Sequence, residues 1–147
     1  MSKSEAPHLH EAHHLLWECY ALMTPLGDEA FEDSELTLAQ SGTLDVIGAW
    51  PGSTTADLAR RGPKTQQAFS QLVSRLKKCG YVERRLGQGR GVELYLTEAG
   101  EAARAEGHRR EDVLEDRLKT ILGDELYAEL VEVLDAARDR LTGDGAR

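Results

Sequence analysis

Near the amino terminus, His10-Glu11-Ala12-His13-His14 contains the HExxH spelling. On a helix this sets two imidazoles one turn apart with a glutamate as base, the arrangement of zinc-dependent hydrolases. That chemistry also needs a third ligand, a walled substrate cleft and far more chain than 147 residues, so an enzyme is not expected. His10, His14 and Glu18 share one helical stripe and, with His108, form the best metal set the chain offers; the plain alternative is a histidine-rich, solvated helix end. No metal and no cofactor is expected. Cys19 is a second reactive candidate, with His13 and Tyr20 to favour its thiolate and Glu18 to oppose it, and a small core residue as its simpler reading.

A different chemistry is written between residues 58 and 92. The net charge of −8 divides into −9 over residues 1–57, +8 over 58–92 and −7 over 93–147. One cationic surface on an otherwise anionic protein is the footprint of a phosphate-backbone contact, or else a merely solvated basic face. Within it, Gln66, Gln67 and Gln71 can each bond an adenine edge with acceptor and donor together. Lys64, Arg75, Lys77 and Lys78 lie beside them, and Thr54, Thr55, Thr65 and Ser70 add hydroxyls on the same stretch. Arg84, Arg85 and Arg90 suit phosphates or a narrow A·T-rich groove.

These groups need a scaffold, and the apolar pattern supplies one. Leu9, His13, Leu16, Tyr20 and Met23 recur at helical spacing, widened by Ala12, Leu15, Cys19, Leu22 and Leu26. So broad a face predicts an enclosed helix, ended by Pro25 and Gly27. Asp28 to Glu35 reads as a loop or the exposed start of a further element. Thr37 with Gln40 spells a capping box, and the helix it opens runs through Leu44 and Ile47 to stop at Trp50-Pro51-Gly52. Ser53, Thr54 and Thr55 offer caps for a short helix ended by Gly62-Pro63. Thr65 caps the next, whose stripe is Ala68, Phe69, Leu72, Val73 and Leu76. Two helices around a tight turn suggest helix-turn-helix. After Cys79-Gly80 the period becomes two. Tyr81–Arg85 and Val92–Leu96 flank a glycine-rich basic tip, which makes a hairpin wing. Thr97 opens a long helix broken at Gly123, and a last helix carries Leu126, Leu130, Leu134, Ala137 and Leu141 as a seam for other helices. Thr142 to Arg147 is expected to fray.

In this order the elements resemble the MarR (multiple antibiotic resistance regulator) family of bacterial winged-helix repressors, over nearly the whole chain. The likeness is carried by Leu36-Thr37-Leu38-Ala39-Gln40, Asp57-Leu58-Ala59-Arg60-Arg61, Leu72-Val73-Ser74-Arg75-Leu76, Gly80-Tyr81-Val82-Glu83-Arg84-Arg85 and Leu96-Thr97-Glu98-Ala99-Gly100. The resemblance implies a homodimer made by the first and last helices, a recognition helix in the major groove and a wing in the neighbouring minor groove. Three departures stand out. Gln88 replaces the aspartate usual two residues before the wing arginine, here Arg90, and the loop is shorter than is common. Lys64 in the turn puts a charge where packing is usual. Ser41, Gly42 and Thr43 replace large apolar residues and would leave either a ligand pocket or a loosely packed helix. Trp17, Cys19, Tyr20, Ser41 and Trp50 are the candidate lining for a small apolar or aromatic effector. Organic-hydroperoxide sensors of the family keep a reactive thiol broadly where Cys19 stands.

The expected fold is mainly α with a small β-hairpin wing, a winged helix-turn-helix with amino- and carboxy-terminal dimerisation helices. Residues 1–147 are expected to form one domain, with dimerisation helices in 1–35 and 100–142, a DNA-binding part in 36–99 and a disordered tail in 143–147. Leu126, Leu130, Leu134 and Leu141 are the expected dimer contacts. The function expected is a cytoplasmic, ligand-responsive repressor that binds pseudo-palindromic double-stranded DNA as a homodimer. The alternatives are a redox-sensing repressor acting through Cys19 and a winged-helix protein-interaction module that does not read DNA. Nowhere do 18 apolar residues run together, and the first residues lack a secretory apolar stretch, so neither membrane nor export is expected.

Overall fold

The computed structural model describes residues 11–62, 64–89 and 91–145. His10, Arg90 and residues 146–147 of the expected tail lie outside them. The elements run α1 (Ala12–Ala30), α2 (Leu38–Ala49), α3 (Thr55–Arg61), α4 (Gln66–Lys78), β1 (Val82–Leu86), β2 (Val92–Leu96), α5 (Glu98–Leu122) and α6 (Asp124–Gly145). Compact packing divides the chain inside α5, between Glu111 and Asp112.

Four helices begin where a threonine can close the first turn. Thr37 accepts from the Gln40 amide at 3.2 Å while its own amide donates to Gln40 Oε1 at 3.0 Å, completing the capping box of α2. Thr54 and Thr65 accept from Asp57 and Ala68 to start α3 and α4, and Thr97 accepts from Gly100 to start α5. Thr37→Ala is expected to cost about 1 kcal/mol in chemical denaturation. A loss below a few tenths would show that Gln40 alone suffices.

The first helix departs from expectation twice. It passes through Pro25 and Gly27 and ends only at Phe31, whose amide bonds back to Gly27 and Asp28. Proline removes one donor and crowds the carbonyl four residues earlier, a cost that falls where Ala21 and Pro25 are both exposed and water can solvate the freed carbonyl. Burial of Gly27, Ala30 and Phe31 then rewards continuation, so packing overrides local propensity. Nor is α1 enclosed within this chain: Leu16, Trp17, Tyr20 and Leu22 keep half or more of their surface exposed.

The core of residues 11–111 gathers around the helix-turn-helix. Leu44 and Ile47 of α2, Leu58 of α3, Phe69, Val73 and Leu76 of α4, Val82 of β1 and Leu94 of β2 are all buried. Each such side chain removed from water contributes about 1.5–3 kcal/mol. The two strands pair antiparallel with Val82 opposite Leu96 and Arg84 opposite Leu94. The α2–α3 loop joins their edge: the Gly52 amide donates to the Leu94 carbonyl at 2.8 Å, and the Leu94 amide to the Ser53 carbonyl at 3.0 Å.

The first half of α5 is seated on α2 by polar contacts. Ser41, 1 % exposed, donates to Glu111 Oε1 at 2.6 Å, and Asp45 takes Arg104 Nε at 2.9 Å as well as His108 Nε2. Gly107 is what lets the helices close, because a Cβ there would collide with the Ser41 hydroxyl. At Ser41 the small residues of α2 and α5 serve close approach of the helices, whereas a Cβ added at Gly42 would meet nothing within 4 Å. Thr43, equally buried, turns its hydroxyl back to the Ala39 carbonyl.

Beyond Glu111, α5 ends at Gly123, whose φ of +81° suits glycine, and α6 returns. Tyr127 of α6 donates to Glu115 of α5, and Lys119 lies 5.2 Å from its ring centroid. The helix continues to Gly145, so the first residues of the expected disordered tail are helical.

Candidate nucleic-acid interface

The helix-turn-helix is built by α3 and α4, which Gly62, Lys64 and Thr65 help to join, and the apolar stripe of α4 explains which side is left free. Phe69, Leu72, Val73 and Leu76 are buried, so Gln66, Gln67, Gln71, Ser74 and Arg75 are exposed on the other side, with Ser70 half-buried between. Arg75, Lys77 and Lys78 occupy the last turn of α4, where cations also complement the helix dipole. Three amides in two turns, followed by three cations, give a surface that can bond base edges along its first half and phosphates along its last.

The hydroxyls of Thr54 and Thr65 serve as helix caps, and Thr55 is the half-buried first residue of α3, so these three set the start of each helix. Lys64 is half-buried in the turn. On the wing, Arg84 is exposed. Arg85 is exposed too, but it pairs with Glu83 and its guanidinium lies 4.2 Å from the Tyr95 ring centroid. Arg60 is likewise paired, with Asp57. The cationic segment is thus less free than its +8 suggests.

Two contacts escaped the sequence reading. Arg61 stacks 4.7 Å from the centroid of Trp50, a long-range pairing with no local signature. Glu83 and Arg85 stand two apart on one strand, hence on one face, a signal that the alternation already contained. At the start of the hairpin, burial and then the nearby Glu35 carboxylate raise the Tyr81 hydroxyl above its ordinary pKa; it donates to Glu35 at 3.4 Å.

The effector candidates stand in different settings. Ser41 is closed over by α5, Trp50 lies under Arg61, and Trp17, Cys19 and Tyr20 stand exposed on α1. So do the metal candidates: His108 pairs with Asp45, His14 and Glu18 belong to α1, and among the described residues no three His, Cys, Asp or Glu side chains form a metal site. No helix among the described residues is long and apolar enough to cross a membrane.

A capped helix-turn-helix with an amide-and-cation face and a two-stranded hairpin behind it defines a winged-helix protein. The sequence model of the MarR family matches residues 34–91, from the loop before α2 to the wing tip. Over that stretch the chain is similar to the MarR family. It is 31 % identical over 91 residues to the HTH-type transcriptional repressor Rv2887 of Mycobacterium tuberculosis, an alignment covering 60 % of this chain and 66 % of that one, just under two thirds of the relative's length. The crystal structure of the M. tuberculosis MarR family protein Rv2887 in complex with salicylic acid superposes with a TM-score of 0.72 at 25 % identity, over 86 % of this chain and 96 % of that one. Wild-type MarR from E. coli shares the fold with a TM-score of 0.76 at 24 % identity, over 86 % and 96 % of the two chains.

Proposed function

We propose that this protein is a cytoplasmic transcription repressor that binds a pseudo-palindromic site in duplex DNA as a homodimer, by binding and not by catalysis, and releases it on taking up a small aromatic effector. The exposed row from Gln66 to Arg75 carries the reading, since it offers base-edge and phosphate donors on one face of a helix anchored by its other face. The mycobacterial relative has been crystallised with DNA as well as with salicylic acid, which supports the same partners here. Two copies of the cationic segment should make affinity steeply salt dependent. Between about 50 and about 200 mM salt, binding is expected to fall about a thousandfold. A flat titration would favour a protein partner instead.

Base reading is separable from phosphate binding. Gln67→Ala is expected to relax preference at one position of each half-site by roughly 1–3 kcal/mol, scored by competition among single-base variants of the selected site. Unchanged preference in both this variant and Gln71→Ala would assign reading to another face. For release, salicylate serves as the aromatic probe and peroxide as the rival. Cys19 is an exposed free thiol, so the redox alternative predicts release by peroxide from the parent and none from Cys19→Ser. Release by salicylate from both proteins is the outcome expected.

A further inference from the structure

The register of the hairpin places Glu83 opposite Tyr95 and Arg85 opposite Glu93, so these four side chains share one face while Arg84 projects from the other. On the shared face the Arg85 guanidinium is held twice, by the Glu83 carboxylate and by the Tyr95 ring at 4.2 Å. The ring is fixed in turn, because its hydroxyl donates to Glu93 Oε2 at 3.2 Å. This bond, first, and partial burial keep the Tyr95 hydroxyl above its ordinary pKa, so it remains a donor to Glu93 throughout the neutral range.

We propose that Glu83 limits the DNA affinity of the wing by holding Arg85 against Tyr95, away from the phosphate backbone. This rests on the DNA-binding reading given above. Each contact is modest alone, as Arg85 and Glu83 side chains are 58 % and 42 % exposed. Acting together they keep the cation at one place, and a phosphate that draws it away must approach two carboxylates, Glu83 and Glu93. Removing the Glu83 charge frees one cation and deletes one anion facing a polyanion. A repressor gains from such restraint: excess wing affinity is sequence-independent, so it strengthens competing sites as much as the operator and makes release by an effector harder.

The test uses the full-length protein, with Glu83→Gln, Arg85→Met and the double variant titrated by fluorescence anisotropy onto a duplex of arbitrary sequence about three helical turns long. Glu83→Gln is expected to tighten binding about three- to tenfold at low salt and to steepen the salt slope by about one unit per subunit. In the Arg85→Met background the same change is expected to gain less than about twofold, because the freed cation is gone. An equal gain in both backgrounds would reduce Glu83 to a long-range charge and overturn the proposal. No gain, or weaker binding, would also overturn it, the latter by showing that the ion pair presents Arg85 to DNA. If the parent binds duplex and Glu83→Gln changes nothing, only the restraint fails; if the parent binds no duplex, the DNA-binding reading fails with it.

Discussion

Replacing Leu130 and Leu134 of α6 by aspartate together is expected to weaken operator binding at least about a hundredfold while leaving the helix-turn-helix folded. Both leucines lie on one stripe of α6 with Leu126 and Leu141, and all four are exposed in the protomer, from 39 % at Leu130 to 70 % at Leu141. A solvated apolar stripe of that length on a 22-residue helix asks for a partner, and the likeness to the MarR family makes a second copy the partner proposed. Two carboxylates are costly to bury in such an apolar seam, so association is expected to fail at its centre. Each half-site alone then offers too few contacts to hold one protomer at physiological salt. Sedimentation should show a dimer for the parent and a monomer for the double variant. A parent that sediments as a monomer at micromolar concentration would defeat the dimer reading before any DNA is added.

Leu76→Ala is expected to destabilise the protein by about 2–5 kcal/mol, against less than about 0.5 kcal/mol for Leu86→Ala. The two leucines are close in sequence and opposite in setting: Leu76 is 0 % exposed at the carboxy-terminal end of the α4 stripe, and Leu86 is 91 % exposed at the wing end of β1. Truncating the first leaves a cavity among side chains that already touch on every side, whereas truncating the second removes a side chain that water surrounds. Urea denaturation measures both. Equal losses would mean that the buried cluster repacks around the smaller residue. Because Leu76 also anchors the helix that carries Gln67 and Gln71, DNA binding by Leu76→Ala should recover on cooling toward the temperature of maximum stability.

Much of the fold could be read locally because its punctuation is local. Thr37 with Gln40, Thr65 with Ala68 and Thr97 with Gly100 are all caps closed within three residues, and hydrophobic period fixed the face of α4 and the alternation of the hairpin. Where tertiary burial decided, local signals misled: Pro25 and Gly27 look like an ending, yet the packing of Ala30 and Phe31 carries α1 past them. The small residues after Gln40 posed the reverse problem. Ser41 looks like missing volume until Gly107 and Glu111 arrive from far along the chain, and no window of sequence joins residues 70 apart. The same distance hid the pairing of Asp45 with Arg104 and His108. Of the candidate site, the amides of α4 were legible as an exposed face and Glu83 stood two residues from Arg85 on the same strand, while the stacking of Arg85 on Tyr95 depended on geometry across the hairpin.

The two main-chain bonds between the α2–α3 loop and β2 also bear on how this protein can diversify. They fix Leu94 to Gly52 and Ser53 without using any side chain. Hydrogen exchange at the Leu94 and Gly52 amides should therefore be as slow as in the central helices, while amides near Gln88 and Gly89 exchange at close to the rate of free peptide. With the base of the hairpin moored through backbone alone, the residues at its tip are released from any duty to the fold. Lineages can then alter length and charge there, and with them the reach along a groove, without renegotiating stability.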